Sequence, residues 1–328
     1  MLMSAAPYAP HRYQYFHRVY PHVSSPAQSQ LLDHYLSHRD LRPATVRSFR
    51  LAWRPWITFA GDVPAHEITP DICNIYRQVV LSRARPETWN SYLSHFRAVY
   101  NCAVKDKLIP MNPFNEIERA AVVKKPKKTV SLDILQTAMD KLYQSDLQTL
   151  RPQWFWRVVV QALYFTGMRR HQLIALRWCD VDFKAATLML ASETRSTHRE
   201  WIVPLSAEWS DDLLDLRRRT VELLGRSEIA EDQVFNVTLF YSRYRGKKMT
   251  DEHLSGFFKR LSATIGETIT AHQLRNTAAT QLMRATKNDV TSVQKLLGHT
   301  DVKMTLEYID TDVESLHVLI KKMPKIRR

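Results

Sequence analysis

Five side chains suited to phosphate chemistry are spread over the second half of this 328-residue chain: Arg169, His272, Arg275, His299 and Tyr308. Guanidinium groups grip phosphate oxygens, imidazoles donate hydrogen bonds or move protons, and a phenol becomes a nucleophile once deprotonated. Together they could surround one phosphate, with Tyr308 attacking it. Singly, each has a plainer reading. A histidine beside a helix is commonly structural, an arginine near a helix start is commonly solvated, and Tyr308 is one of thirteen tyrosines, a residue type that mostly packs. The order and spacing of the whole set are what make the chemical reading specific.

The elements that must position these residues are legible from periodicity and caps. Leu274, Ala278 and Leu282 recur at helical spacing, which predicts an amphipathic helix near 272–285. His272 and Arg275 stand at i and i+3 at its start, where unpaired backbone N–H groups favour an anion. A short helix follows, with Asn288 or Asp289 as N-cap, Val290, Val293, Leu296 and Leu297 inward, and Gly298 as a left-handed stop. His299 therefore leaves a helix end at a fixed place, and a further helix through Thr305 would carry Tyr308. Upstream, a helix is predicted near 132–143. A buried one in RPQWFWRVVVQALYFTGMRR is broken at Gly167, so that Arg169 opens the next, with Leu173, Leu176 and Trp178 inward. That position suits bidentate contact with phosphate. Two strands are expected at 187–191 and 201–205, joined by the polar SETRSTHRE, and helices resume near 211 and at 253–265.

The chain carries 47 Lys and Arg against 33 Asp and Glu, a net charge of +14. This balance suggests a polyanionic partner, although a basic surface also serves to keep copies apart. Its length favours two domains. Cys73, Cys102 and Cys179 fit neither a disulfide framework nor a zinc cluster, which implies a reducing compartment and thiols that merely pack. No apolar run reaches membrane-spanning length and no signal peptide is visible, so a cytoplasmic location is expected. Residues 1–25 interleave Tyr8, Arg12, Tyr13, Tyr15, Phe16, Arg18 and Tyr20. That mix fits either base stacking or a flexible tail. Four helices are expected between Pro26 and Pro113, with Pro55 bending the second or ending it early. Arg42, Arg47, Arg50 and Arg54 give this module a positive side. It reads equally as a DNA-gripping domain (26–120) or as an ordinary bundle with solvated arginines. In the segment 121–130, Lys124, Lys125, Lys127 and Lys128 surround Pro126 without any acidic residue. This run is either a basic linker lying on a DNA backbone or a soluble hinge. Residues 131–328 form the remaining domain, ending in a C-terminal helix or tail.

TGMRR at 166–170, HQLR at 272–275, LGHT at 297–300 and Tyr308 together resemble the tyrosine recombinase (phage integrase) family, as do LRWCDVDF, IVPL and LSGFFKRL. The likeness covers roughly residues 26–320. It implies a mainly α fold with a small β-hairpin: a helical core-binding domain and an α+β catalytic domain, clamp-like around DNA. It further implies a site-specific recombinase of integrase or resolvase type, from a bacterium, phage or mobile element and nucleoid-associated. Such an enzyme works through a 3′-phosphotyrosyl intermediate without ATP, metal or other cofactor. Arg169 and Arg275 would then be the phosphate-binding arginines, His272 and His299 the paired histidines, and Tyr308 the nucleophile, with His272 assisting its deprotonation. The expected partners are double-stranded DNA bearing recombination sites and further copies of the chain, as a tetramer on two sites. Lys124, Lys125, Lys127, Lys128, Arg47 and Arg195 are the expected DNA contacts. Leu316, Leu319 and Ile320 of the tail ESLHVLIKKMPKIRR would dock on a neighbour, or else fold back on their own domain. A type IB topoisomerase-like relaxing enzyme and a catalytically impaired DNA-binding regulator are the alternatives.

Three departures from the family pattern stand out. Gln172 occupies a position where the family usually has Glu, and Asn276 one where it often has His. The hairpin lysine, the expected general acid, is missing: its position falls on Ser196 beside Arg195, and there is no lysine between Lys184 and Lys247. Arginine, with a pKa above about 12, is a poor proton donor. Either Arg195 supplies charge only, or a lysine from elsewhere reaches in, or the protein is slow or inactive.

Overall fold

Proline at the first helical position starts three of the four helices of the first unit, where its fixed φ and missing N–H carry no penalty. In the computed structural model, which describes residues 25–123, 126–144, 147–191, 200–244, 246–286 and 289–308, these helices are α1 (Gln28–Ser37), α2 (Pro43–Ala60), α3 (Pro70–Arg83) and α4 (Pro86–Lys105). The chain divides into two compact units, Met1–Lys124 and Lys125–Arg328.

The first unit closes around a ring-rich core in which Trp56, Tyr76, Trp89, Phe96, Tyr100 and Phe114 are fully buried. Gln28 lies within it without an orphaned group. Its Oε1 accepts from Tyr100 Oη at 3.0 Å and from Trp56 Nε1, and its Nε2 donates to Gly61 O at 2.6 Å. Pro55 does not end α2, which continues to Ala60. The carbonyl that loses its intrahelical partner belongs to Leu51, which is 63% exposed, so water can take that bond. Arg47, Arg50 and Arg54 are exposed along one side of α2, beside an open groove that also involves Leu41 and Val46.

The second unit contains α5 (Leu132–Tyr143), α6 (Gln153–Thr166), α7 (Arg170–Ala175), three short strands, α8 (Ala207–Leu224), α9 (Asp251–Ile265), α10 (Ala271–Ala285), α11 (Val290–Leu297) and α12 (Val302–Leu306). The strands β1 (Val181–Asp182), β2 (Thr187–Ala191) and β3 (Glu200–Pro204) form an antiparallel sheet in that order. Pairing Leu188 with Val203 and Leu190 with Trp201 turns Leu188, Leu190 and Val203 inward and leaves Met189 and Ile202 exposed. β1 has no counterpart in the sequence expectations, because two residues carry no periodicity. α6 is buried nearly all round and packs against α5, α8 and α10; Trp156 on it stacks on Phe257 of α9 at 4.1 Å. A mainly helical chain with one small sheet is the architecture expected from the sequence. Among the described residues no helix is long and apolar enough to cross a membrane.

Candidate active site

Two glycines hold the site together. α6 stops at Thr166 with Gly167 at φ +60°, and α11 stops at Leu297 with Gly298 at φ +62°, left-handed positions that glycine takes without cost. Space demands glycine as well. A Cβ at Gly298 would fall inside the Trp201 indole of β3, and one at Gly167 would lie 2.6 Å from Leu297 Cδ2. Trp201 Nε1 donates to Leu296 O at 3.0 Å, fastening the sheet to the end of α11.

Arg275 joins these two helix ends. Its guanidinium donates to Gly167 O, to Leu297 O at 3.1 Å and to His299 Nε2 at 2.8 Å, and the residue is 5% exposed. Burial, then the nearby Arg169 charge, pushes its pKa down to about 10. Arginine can only donate, so His299 Nε2 must accept, and the ring proton must sit on Nδ1. There it donates to Thr305 Oγ1 at 2.8 Å. His299 is therefore neutral, in agreement with burial and the charges of Arg275, Arg169 and Lys127 lowering its pKa to about 3.

Tyr308 lies just past α12, its N–H bonded to Thr305 O at 3.0 Å, rather than within the helix expected to carry it. Its ring is nearly parallel to that of His299, with centroids 6.0 Å apart. The hydroxyl donates to Asn276 Oδ1 at 3.2 Å, while Asn276 Nδ2 donates to Lys128 O at 2.9 Å. Lys127 Nζ sits 3.8 Å above the Tyr308 ring, pairs with Glu307 Oε2 at 3.0 Å and donates to Met304 O at 3.4 Å.

Arg169 caps α7. Its N–H donates to Gln172 Oε1 at 2.8 Å, and Gln172 Nε2 donates to Ala191 O at 2.9 Å at the end of β2. The amide thus performs two tasks, and a carboxylate could perform only the first. Burial lowers the Arg169 pKa, with Tyr308 opposing. His272 stands exposed in the first turn of α10, and burial followed by Arg275, Lys127 and Arg170 lowers its pKa, which keeps it neutral at pH 7.

All five residues predicted to act on phosphate open on one cavity of about 760 Å³. Among the described residues its lining holds five Lys and Arg side chains, three histidines and no carboxylate. Such a cavity attracts an anion, and with a phenol at its wall it is equipped for nucleophilic attack on one.

Lys127 and Lys128 were expected in an unpacked linker. Instead the segment is pinned to α10: besides the Lys128 carbonyl, Val130 N–H donates to Thr277 Oγ1 at 2.8 Å. Lys128 itself is exposed, and Arg47 is exposed in the first unit. Lys124, Lys125, Arg195, Ser196, the N-terminal residues through Ser24 and the tail from Ile309 onward lie outside the described residues. Of the cysteines, Cys73 packs in the core, but Cys102 is half-exposed, its Sγ 3.3 Å from Asp106 Oδ2, and Cys179 is exposed. Asn276 and Thr305, which hold Tyr308 and His299, are site residues that the sequence reading did not place. Asn276 was visible only as a departure from the family pattern.

The phage integrase family model matches residues 134–315 of the chain. A putative tyrosine recombinase XerC from Pseudomonas syringae is 31% identical over 303 residues, covering 89% of this chain; the chain spans 63% of that relative's length. A Pseudomonas aeruginosa protein of the same description is 25% identical over 304 residues, 89% of this chain and 70% of the relative. Among solved structures, the Tn1549 transposon integrase in complex with transposon right end DNA superposes with a TM-score of 0.71 at 17% identity, covering 90% of this chain and 99% of that one. A lambda integrase dimer bound to a COC′ core site gives 0.65 at 17% identity, covering 92% and 99%. These likenesses share the fold found here, and the matched segment runs from α5 through the arginines, histidines and tyrosine of the cavity, so the chain belongs to the phage integrase family.

Proposed function

We propose that the chain is a site-specific DNA recombinase that cuts and rejoins a phosphodiester through Tyr308. One observation carries this reading: Tyr308 shares with Arg169, His272 and Arg275 a cationic cavity that no carboxylate lines among the described residues. The family and the DNA-bound state of its structural neighbours support DNA as the anion. A scissile phosphate would sit against Arg169 and the Arg275 N–H bonds not used for anchoring, where positioned cations stabilise charge building on the nonbridging oxygens. His299 fixes Arg275 rather than donating into the cavity, since both its nitrogens are engaged. His272, neutral and exposed, takes the phenol proton as Tyr308 exchanges Asn276 for phosphorus. The products are a 3′-phosphotyrosyl linkage and a 5′-hydroxyl, which later attacks in reverse on a partner strand. Each step exchanges one phosphoester for another, so no ATP is needed, and the cations of the cavity take the charge-stabilising part that a metal would otherwise supply. Lys127, Lys128 and Arg47 join Lys124, Lys125 and Arg195 as backbone contacts, and a tetramer on two sites completes the exchange.

The test begins by sequencing DNA bound by Tyr308→Phe. A nicked suicide duplex carrying the recovered sequence is then given to the wild type. A covalent protein–DNA band that Tyr308→Phe does not form is the expected result. Absence of that band, or its persistence without Tyr308, would refute the proposal, and relaxation of plasmids lacking the sequence would point instead to a topoisomerase.

A further inference from the structure

The reaction needs an acid as well as a base, because the departing 5′-oxygen would otherwise leave as a strongly basic alkoxide. The hairpin holds no lysine, so the part that the family gives to that lysine falls to another residue. The geometry excludes most groups in the cavity. Arg275 and Arg169 are arginines, which hold their protons too tightly to give them up in one step. The single ring proton of His299 is directed at Thr305. His272 is needed empty-handed to receive the proton of Tyr308. Of the other described lining residues, Arg170 is a further arginine and His171 has a buried Nε2, which leaves two lysines, Lys127 and Lys259.

Lys127 is the better placed. Its ammonium is 3.8 Å from the centre of the nucleophile's ring, within the span of a phosphate bound to that tyrosine. Its backbone is held by a built attachment: Asn276 bonds the next carbonyl, Lys128 O, and Thr277 grips Val130. Asn276 also holds the Tyr308 hydroxyl, so one side chain sets both the nucleophile and the lysine-bearing segment. The Lys127 charge helps lower the pKa of both His272 and His299. The four-carbon stem lets the ammonium swing from Glu307 toward the far side of the phosphorus.

We propose that Lys127, from the segment before α5, replaces the hairpin lysine as the proton donor to the leaving 5′-oxygen. This rests on the recombinase reading. As the Tyr308 Oη–P bond forms, the P–O5′ bond breaks, the phenol proton passes to His272 and an Nζ proton passes to O5′. In the rejoining step the neutral Lys127 amine takes the proton back from the attacking 5′-hydroxyl and His272 returns its proton to the departing Tyr308 oxygen, so nothing is consumed.

Sulfur in place of the bridging 5′-oxygen provides the test, since a thiolate leaves without needing a proton. Two nicked duplexes of the recovered sequence, one with an oxygen and one with a sulfur at the cleaved bond, are given to the full-length protein and its variants. Lys127→Ala should slow covalent complex formation on the oxygen duplex by ~10²–10⁴-fold and approach the wild-type rate on the sulfur duplex. Lys127→Arg, which keeps the charge, should show the same oxygen defect and the same rescue. Gel-shift binding of the duplex by each variant guards against misfolding. Equal slowing on both duplexes, no slowing on oxygen, or sulfur rescue of Lys259→Ala instead would overturn the assignment. If the wild type forms no tyrosine-dependent complex on either duplex, the recombinase reading fails first, and visibly so.

Discussion

Acidification should weaken the second unit through His299, and the size of the effect follows from its two hydrogen bonds. Protonation would place an N–H against the Arg275 guanidinium that now donates to Nε2 at 2.8 Å, donor against donor and cation against cation. The folded pKa, about 3, lies far below the ordinary histidine value of about 6.5. As pH falls, the unfolded chain takes up the proton first. The contribution to stability is thus complete above pH ~6.5 and is lost progressively down to about pH 3, at about 1.4 kcal/mol per pH unit within that window. Between pH 7 and pH 5 the loss is at most about 2 kcal/mol. Other histidines, such as the half-buried His95, whose pKa burial also lowers, shift stability in the same direction. The informative quantity is therefore the difference between wild type and His299→Gln, whose amide oxygen can still accept from Arg275. Urea denaturation at pH 7 and pH 5, followed by tryptophan fluorescence, should show the wild type losing more stability than the variant by nearly that amount. Histidine ring ¹⁵N shifts should independently report a neutral, Nδ1-protonated His299 at pH 5. Parallel pH dependences within about 0.5 kcal/mol, or a ring titrating near its ordinary value, would refute the tautomer argument.

Three further outcomes are expected. Gly298→Ala meets both a left-handed backbone and the Trp201 indole, so it should destabilise by more than about 2 kcal/mol, and pairing it with Trp201→Ala should recover part of that loss in a double-mutant cycle. Gln172→Glu restores the residue usual in the family, yet should cost ~1–3 kcal/mol at pH 7, because a carboxylate turned toward Ala191 O leaves that acceptor unpaired; thermal unfolding would measure it, and unchanged stability would show that the amide bond to β2 is dispensable. Tyr308→Phe should bind the recovered duplex with near wild-type affinity and a steep salt dependence, as phosphate contacts dominate such binding; salt-insensitive binding in a filter assay would contradict this.

The elements closest to the chemistry were the most legible in the sequence, because they are written in caps and glycines. Asp289 as N-cap and Gly298 as the left-handed end of α11 fixed where His299 leaves the helix, and both stand as the local chemistry predicts. The Leu274/Ala278 spacing did the same for α10, which Thr270 caps in the structure. Tertiary contacts were invisible at that level. Nothing in KKPKK indicates that Lys127 rests on a tyrosine 181 positions later, since that contact is made through Asn276 and Thr277 gripping the backbone beside it. The same limit hid the role of Gln172, whose second bond reaches a strand end. Of the two outcomes expected at Pro55, a bend or an early end, the early end does not occur, because the exposed position of Leu51 relieves the cost of the lost bond.

The way Arg275 is held bears on how this cavity keeps its positive charge. Lowering its pKa to about 10 corresponds to roughly 3 kcal/mol against the charged form, a penalty that a carboxylate partner would remove. Among the described residues neither Arg275 nor Arg169 has such a partner, whereas Lys127 pairs with Glu307 and Arg170 with Asp251. A carboxylate beside Arg275 would neutralise the site and compete with phosphate for the same N–H bonds. The carbonyls of Gly167 and Leu297 avoid that conflict. They lie at helix C-termini, where partial negative charge accumulates, so they orient the guanidinium and offset its desolvation while leaving its full charge for a ligand. The glycine turns are what bring those two carbonyls within reach of one side chain. The demand for an unpaired, rigidly aimed cation thus explains the placement of Gly167 and Gly298 as directly as the backbone angles do.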